Sequence, residues 1–593
     1  MCRIFGHLNG GVDHSRLAAV GRALRHGGPD QHGVVTGTTW ALGATRLAVV
    51  DPAGGEQPYR LADRVRVVFN GEIYNHDELR DRLTRLGYRF ADRCDGTILP
   101  ALYDHYGPSF TDHLDGMYAI AVLDLRREPT LVLASDESGM KPLYYHWDGR
   151  GGCSFASEIP ALRLLAGVGV ASSLALDSYL TTKAVFGGRT AYEDIAVLEP
   201  ATTLVVSTTG LSRFDRAPRG RAAEDADLDR GANLVRHALD REVRRLRRAD
   251  VRVTAITSGG LDSGLVTALL ARHEPRPHGF HIAYRGRWPF DERAFARAVA
   301  DRSGVELHEV ELDPVRLPDL LPTVVAALGQ PNADPIAVST FELFRAVREA
   351  GFTVALTGDG ADELFGGYDR TRAAVAAGDE WVRGYLDALA AVPRDLRAEL
   401  YSDDYRQHLA DVGTEEDRIV EELRAAGPDR LTAITRFEVA SRMPSYHLRR
   451  VDHLSMAHAV EARLPFLQPS VTALASALPA DLRVRDGIGK RVLTAAGRGL
   501  LPDAVLSRPK QPFTLPVAAM LTAGTPLYAF ARDVLAPDGV AASGQLDPPA
   551  VTGLLDRHAT RPRATTAMTI WALLVFQLWA GARALAHPRA EVA

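Results

Sequence analysis

Residues 251–263 run Val251-Arg252-Val253-Thr254-Ala255-Ile256-Thr257-Ser258-Gly259-Gly260-Leu261-Asp262-Ser263. The apolar stretch 251–256 has strand length and ends in a Ser/Gly turn that opens a helical pattern. Strand, glycine loop, helix is the idiom of an α/β domain with a parallel sheet, whose ligands sit at the carboxyl ends of the strands. Glycines let backbone N–H groups come close to phosphate oxygens, and the start of a helix adds unpaired donors and a favourable dipole. The lysine of the GxxxxGK(S/T) phosphate motif is missing, so this is a nucleotide loop of another kind. A serine-capped glycine turn with no ligand is the alternative, and it weakens with each further match.

One such match follows a second apolar run, 353–356. It reads Thr357-Gly358-Asp359-Gly360-Ala361-Asp362-Glu363, then Leu364-Phe365-Gly366-Gly367-Tyr368. Asp362 together with Asp262 offers hard oxygen ligands to a Mg2+ that neutralises a departing pyrophosphate. From about residue 380 the chain is largely helical, rich in Ala, Leu, Arg and Glu.

Ahead of these loops the pattern is different. Residues 1–208 alternate short strands with turn signals: 65–69 before Asn70-Gly71, then 118–123, 131–134 and 142–146, with helical stretches near 16–25 and 76–86. That predicts a layered α+β domain with antiparallel sheets. Residues 209–230, charged and carrying Pro218 and Gly220, are expected to be the linker, and 231–593 the second domain. Cys2 stands in second position. Loss of Met1 would place a thiol and an α-amine of pKa about 7.7–8.0 on one residue, a pairing used for acyl transfer.

Composition bounds the rest. A chain of 593 residues exceeds one hydrophobic core, and 46% hydrophobic with 24% charged residues is ordinary for a globular protein. A net charge of −5 leaves no electrostatic footprint for nucleic acid. Cys2, Cys94 and Cys153 are too sparse for a disulfide framework, so a reducing, cytoplasmic setting is expected. The apolar stretch 567–586 is interrupted by Thr569, Gln577 and Arg583, which predicts a buried helix and no membrane partner.

The 258–263 loop resembles the pyrophosphate loop of the ATP pyrophosphatases. The whole chain resembles the glutamine-hydrolysing asparagine synthetases of the bacterial asparagine synthetase B type. The N-terminal blocks are Met1-Cys2-Arg3-Ile4-Phe5-Gly6, Arg25-His26-Gly27-Gly28-Pro29-Asp30, Arg46-Leu47 and Phe69-Asn70-Gly71-Glu72-Ile73-Tyr74-Asn75, with Asp95, Lys141-Pro142-Leu143 and Phe155-Ala156-Ser157-Glu158. The C-terminal blocks are Asp452-His453-Leu454-Ser455-Met456-Ala457, Glu461-Ala462-Arg463-Leu464-Pro465-Phe466-Leu467, Lys490 and Arg508-Pro509-Lys510-Gln511. The resemblance implies an N-terminal α/β/β/α Ntn-type (class II) glutaminase domain. Behind it would come a parallel-sheet ATP-pyrophosphatase domain with a large helical extension.

The same resemblance implies roles. Cys2 attacks the side-chain amide of glutamine, with Asn70 and the Gly71 N–H as oxyanion hole. Arg46 clamps the glutamine α-carboxylate, Asp95 its α-ammonium, and backbone groups of Gly71 and Glu72 complete the pocket. Ser258, Gly259, Gly260 and Ser263 hold the phosphates of ATP. Thr257, Ile282, Thr357 and Gly358 frame its adenosine. Asp262 and Asp362 bind magnesium pyrophosphate. Lys490 stabilises phosphate charge, and Asp359 serves the acyl-adenylate step. Ammonia would pass between the sites through an internal tunnel, and a homodimer is compatible with the family.

Four positions depart from the family pattern: Gly27, Thr97, His453 and Gln468. The segment Gln330-Pro331-Asn332-Ala333-Asp334-Pro335-Ile336-Ala337-Val338-Ser339 lacks the arginine that aspartate-amidating members carry there. The resemblance makes amidation of the aspartate side chain the first expectation, and the missing arginine makes the same chemistry on another carboxylic acid, in a specialised pathway, the second. A ring-closing relative of the β-lactam synthetase kind would have lost Cys2. A non-catalytic member of the fold would show a damaged site, and a bare N-terminal-nucleophile hydrolase leaves the nucleotide loops without a purpose.

Overall fold

The computed structural model describes residues 2–217, 220, 225–288, 291–425, 429–509, 511 and 515–586. Two six-stranded antiparallel sheets come first. One runs in the order Ala196–Val197, Tyr144–Trp147, Cys153–Ala156, Cys2–Leu8, Trp40–Arg46, Gln31–Thr36. The other runs Gly210–Asp215, Thr202–Ser207, Thr130–Ser135, Gly116–Asp124, Val65–Ile73, Tyr59–Leu61. Strand alternation sends Cys2, Ile4 and Leu8 from the first sheet against Val68, Ala119 and Leu133 of the second, so the sheets face one another across a dry core. Helices His76–Arg85 and Leu99–Tyr106 cover the outer face of the second sheet. His14–Ala23 and Ile159–Ala166 pack on the first, completing the expected α/β/β/α layers.

The third sheet has five parallel strands in the order Glu306–Leu312, His278–Tyr284, Val253–Ile256, Val354–Leu356, Glu461–Arg463. The chain moves outward from the central strand Val253–Ile256 on one side, then returns to Val354–Leu356 on its other side. That reversal is a topological switch point, and the two glycine-rich loops leave the sheet side by side there. Helices dominate the remainder and end in Ala564–Ala586. Residues 564–582 are long and apolar enough to cross a membrane. Ile570, Trp571 and Leu574 are nevertheless fully buried within the fold, and the Tyr179 hydroxyl donates to the Ala572 carbonyl at 2.8 Å.

Two expectations fail. Asn70-Gly71 is no turn, because strand Val65–Ile73 continues through it with Asn70 opposite Ala119 and Gly71 opposite Tyr118. A Cβ on Gly71 would lie 2.1 Å from the Met117 carbonyl oxygen, so the glycine permits a close strand approach rather than a reversal. The expected linker at 209–230 is also too long. Gly210–Asp215 is an edge strand paired with Thr202–Ser207, and helix Leu228–Leu246 starts before residue 230. Charged residues at the solvent side of an edge strand mimic linker composition. Residues 218, 219 and 221–224, Pro218 among them, lie outside the described residues.

Candidate active site

The fold gathers the residues expected to carry chemistry into two constellations. In the first, Cys2 opens its strand directly opposite Arg46, and its backbone N–H donates to Asn70 Oδ1 at 3.1 Å. That bond turns the Asn70 amide so that its Nδ2, fully buried, has no acceptor among the described residues. A buried donor without a partner costs about 1–3 kcal/mol, and a negative oxygen arriving beside it would remove the penalty. Gln57 Nε2 donates to the Cys2 sulfur at 3.0 Å and to the Phe69 carbonyl at 2.9 Å. Sequence reasoning missed Gln57, and nothing local marks it. Burial pushes the Cys2 thiol up against the pull of nearby positive charge, Arg46 included. A thiol so placed needs a base to lose its proton. Met1, whose removal would supply that base, lies outside the described residues.

The pocket wall is polar and tightly held. The Arg46 Nη atoms donate to the carbonyls of Gly54 (2.6 Å), Val50 (3.0 Å) and Asp51 (3.0 Å), which fixes the guanidinium. Asp95 is buried and accepts from the Ile73 N–H at 2.8 Å. Burial and then Asp95 push the neighbouring Glu72 carboxyl up, against Arg463 at 3.4 Å.

The second constellation lies at the switch point. Gly259 has φ +81, and a Cβ there would meet the Ala296 nitrogen at 2.6 Å. A Cβ on Gly358 would lie 2.7 Å from the Ser263 nitrogen, so the two loops touch backbone to backbone. The Ser258 and Ser263 hydroxyls are 2.8 Å apart, Thr257 N–H donates to the Phe280 carbonyl, and Ile282 is two residues further along that strand. Thr357 N–H donates to the Arg463 carbonyl at 3.0 Å. Lys490 is buried, with Nζ 2.6 Å from both Asp262 and Asp362. Burial alone would lower its pKa, but the two carboxylates outweigh this and raise it. Asp262 Oδ1 is buried without a hydrogen-bond partner among the described residues. Two facing carboxylates, one with an open oxygen, fit a hard divalent cation. A different donor set, His278, Glu306 and His308, gathers at the amino ends of their strands, away from the loops.

Beside the loops lies a buried ionic cluster that motif reading only grazed. The Tyr368 hydroxyl donates to Glu363 at 2.5 Å, and His447 Nε2 is 3.1 Å from the same carboxylate. Burial, Asp362 and Glu438 push Glu363 up to about 7. Arg450 joins Asp334 (3.2 Å) to Asp359 (3.7 Å). His447, Arg442 and Glu438 come from an 11-residue π-helical stretch, Glu438–Leu448, a wide coil often found at functional sites.

The two halves are pinned together by charge. Asp452 takes Arg3 Nη1 at 2.6 Å and Lys141 Nζ at 2.9 Å, and Arg3 Nε reaches Glu158 at 2.8 Å. Gly27 belongs to this knot: a Cβ there would meet Arg3 Cγ at 2.8 Å, so Arg3 fills the space beside it. His453 accepts or donates a bond with the Tyr144 hydroxyl at 2.9 Å, and burial and then Arg3 lower its pKa to about 4. Gln468 receives Arg245 at 3.0 Å, and Thr97 caps the Cys94 carbonyl at 2.7 Å. Three of the four departures therefore sit at contacts between or beside the halves, and Thr97 shapes the turn that carries Asp95. Lys510, the third residue of the last C-terminal block, lies outside the described residues.

Comparison with known proteins agrees with this geometry. The glutamine amidotransferase domain model matches residues 1–216, and the asparagine synthase model matches residues 234–581. A Mycobacterium tuberculosis protein named, provisionally, a glutamine-hydrolyzing asparagine synthetase is 31% identical over 622 residues, covering 95% of this chain and 93% of its own. Asparagine synthetase (glutamine-hydrolyzing) 1 of Bacillus subtilis is 28% identical over 595 residues, with the same shares of each chain. With the amidotransferase fold leading and the nucleotide loops following in one polypeptide, the chain belongs to the asparagine synthase family as a glutamine-dependent amidotransferase.

Proposed function

We propose that the protein adenylylates a carboxylate, in the first instance the aspartate side chain, and aminates it with ammonia released from glutamine. The supporting observation is that each half holds a pre-set polar group: the unpartnered Asn70 amide beside Cys2, and Lys490 between Asp262 and Asp362. Cys2 sulfur attacks the glutamine amide carbon, and Asn70 Nδ2 with the Gly71 N–H stabilises the oxyanion. Ammonia leaves, and water hydrolyses the thioester to glutamate. Arg46 faces the α-carboxylate, while Asp95 and the backbone of Glu72 face the α-ammonium.

In the second half the acceptor carboxylate oxygen attacks the α-phosphorus of ATP and pyrophosphate departs. Backbone amides of 258–260 and the Ser263 hydroxyl hold phosphate oxygens, and Thr257, Ile282, Thr357 and Gly358 frame the adenosine. Lys490 lets go of the aspartates to follow the phosphate charge. Mg2+, when bound by Asp262 and Asp362, supplies charge neutralisation for pyrophosphate. Ammonia then displaces AMP from the acyl-adenylate, giving the amide and one proton. Asp359, at the mouth of the Arg450 bridge, is the loop carboxylate that faces this step. Pyrophosphate release with ATP, Mg2+ and glutamine, measured with and without aspartate, tests the reading. Release that requires aspartate and yields asparagine and AMP is expected. Glutamine hydrolysis with no aspartate-dependent pyrophosphate would reject aspartate as acceptor.

A further inference from the structure

The parallel sheet carries a second set of converging donors at the end opposite the nucleotide loops. Side chains alternate along a strand, so Glu306 and His308 share one face of the edge strand Glu306–Leu312. In the neighbouring strand His278–Tyr284, His278 pairs with Glu306 and Phe280 with His308, which puts His278 on that same face. His278 Nδ1 and His308 Nε2 are 3.0 Å apart. The Glu306 carboxylate oxygens lie 3.7 Å from the first nitrogen and 4.0 Å from the second.

These groups suit a cation better than they suit one another. The two rings share a single hydrogen bond, and the carboxylate faces both nitrogens from beyond hydrogen-bond distance. A neutral imidazole has one acceptor nitrogen, so each ring can carry its hydrogen on the outer nitrogen and turn a lone pair inward. Two imidazoles and a carboxylate are the donor set of an open zinc site, with bonds of about 2.0–2.2 Å. Tetrahedral bonds of that length set their donors about 3.3–3.5 Å apart, inside the spacing found here. Glu306 is 70% exposed, so rotation lets its carboxylate close the remaining gap. The rings are held more firmly: His308 stacks on Phe280 at 4.4 Å, and Phe352 packs against His278 at 5.0 Å. The Glu306 N–H donates to the Pro277 carbonyl at 2.9 Å, which fixes the register at this corner. Oxygen donors such as Asp262 and Asp362 fit a hard cation, whereas imidazole favours a transition metal.

We propose that His278, Glu306 and His308 bind a divalent transition metal, Zn2+ in the first instance, at a site separate from the nucleotide loops. The seven-residue strand His278–Tyr284 sets the two ends of the sheet about 20 Å apart, so this ion acts on the sheet and not on what the loops hold. It ties the edge strand, which has a neighbour on one side only, to the strand beside it. The three ligands meet only in the folded chain, so binding stabilises the fold.

The test is equilibrium dialysis of the full-length protein against Zn2+, with Mg2+ in large excess to fill sites built from oxygen alone. One Zn2+ per chain is expected at this site. Removing a group that merely supports a ligand costs about 10–100-fold in metal affinity. Removing the ligand itself should therefore raise the Kd about a hundredfold in His308→Gln, and about tenfold in Glu306→Gln, whose carboxylate is the outermost donor. Glu306→Gln leaves the packed rings untouched, so it separates loss of a ligand from loss of the fold. Zn2+ should also raise the Tm of the native chain, and raise it less in either variant. No bound Zn2+ in the native chain would overturn the assignment. So would equal affinity in the native chain and both variants, which would place the ion on other donors such as the cysteine thiols. Neither result bears on the adenylylation reading.

Discussion

The two candidate reaction centres are built by opposite means. Around Cys2 the working groups ride on paired strands: Cys2 faces Arg46 across one ladder, and Asn70-Gly71 sits inside another. Around Lys490 they ride on loops and helix ends drawn from residues 257–263, 357–363, 438–450 and 490. A strand-borne pocket is fixed by register, so its groups are held by main-chain hydrogen bonds whether or not a ligand is present. A loop-borne site is held by charge, and charge can be exchanged for the substrate's own. On the proposed function, the first centre serves one unvarying substrate, and the second a large anionic nucleotide that must enter and leave.

The sharpest way to break the comparison is to disable one centre and watch the other. Cys2→Ala should abolish glutamine use and leave ammonia-dependent synthesis; loss of both in folded protein would mean the centres are not separable. Asp262→Ala should abolish pyrophosphate release with either nitrogen source while glutamine hydrolysis continues. Retained release would remove Asp262 from the mechanism. Asn70→Ala should lower glutamine hydrolysis about 10²–10³-fold, the usual weight of one oxyanion donor, without touching the ammonia reaction.

Smaller effects refine the contrast. Glu363 lies between Tyr368 and His447 with a pKa near 7, which suits a proton acceptor. At saturating glutamine, synthesis should rise with pH through about 7, and Glu363→Gln should lose that inflection; the same inflection in the variant would assign it elsewhere. At the domain contact, His453 is held neutral with a pKa of about 4. Between pH 6.5 and 4 the unfolded chain binds the extra proton, so His453 should make stability fall across that window by up to about 3 kcal/mol. His453→Asn should flatten that part of the stability profile, and an unaltered slope would show that His453 does not set it.

What the sequence discloses follows the same division. The 258–263 loop is legible because strand, glycine and helix are adjacent in the chain, and Cys2 is legible by position. Asn70-Gly71 misleads because a glycine that permits a close strand contact is spelled like one that makes a turn. Residues 210–215 mislead because an exposed edge strand is as polar as a linker. The burial of Lys490 is not legible locally because its partners, Asp262 and Asp362, are distant in sequence. Gln57 and Arg450 carry no local signature, since each acquires its meaning from a residue far along the chain.

The most direct measurement follows the nitrogen. With glutamine labelled with ¹⁵N in its amide, ATP, Mg2+ and aspartate, the label should appear in the product amide, with glutamate and AMP formed in equal amounts. Glutamate formed with the label left as free ammonium, and no AMP, would contradict the coupling of the two centres.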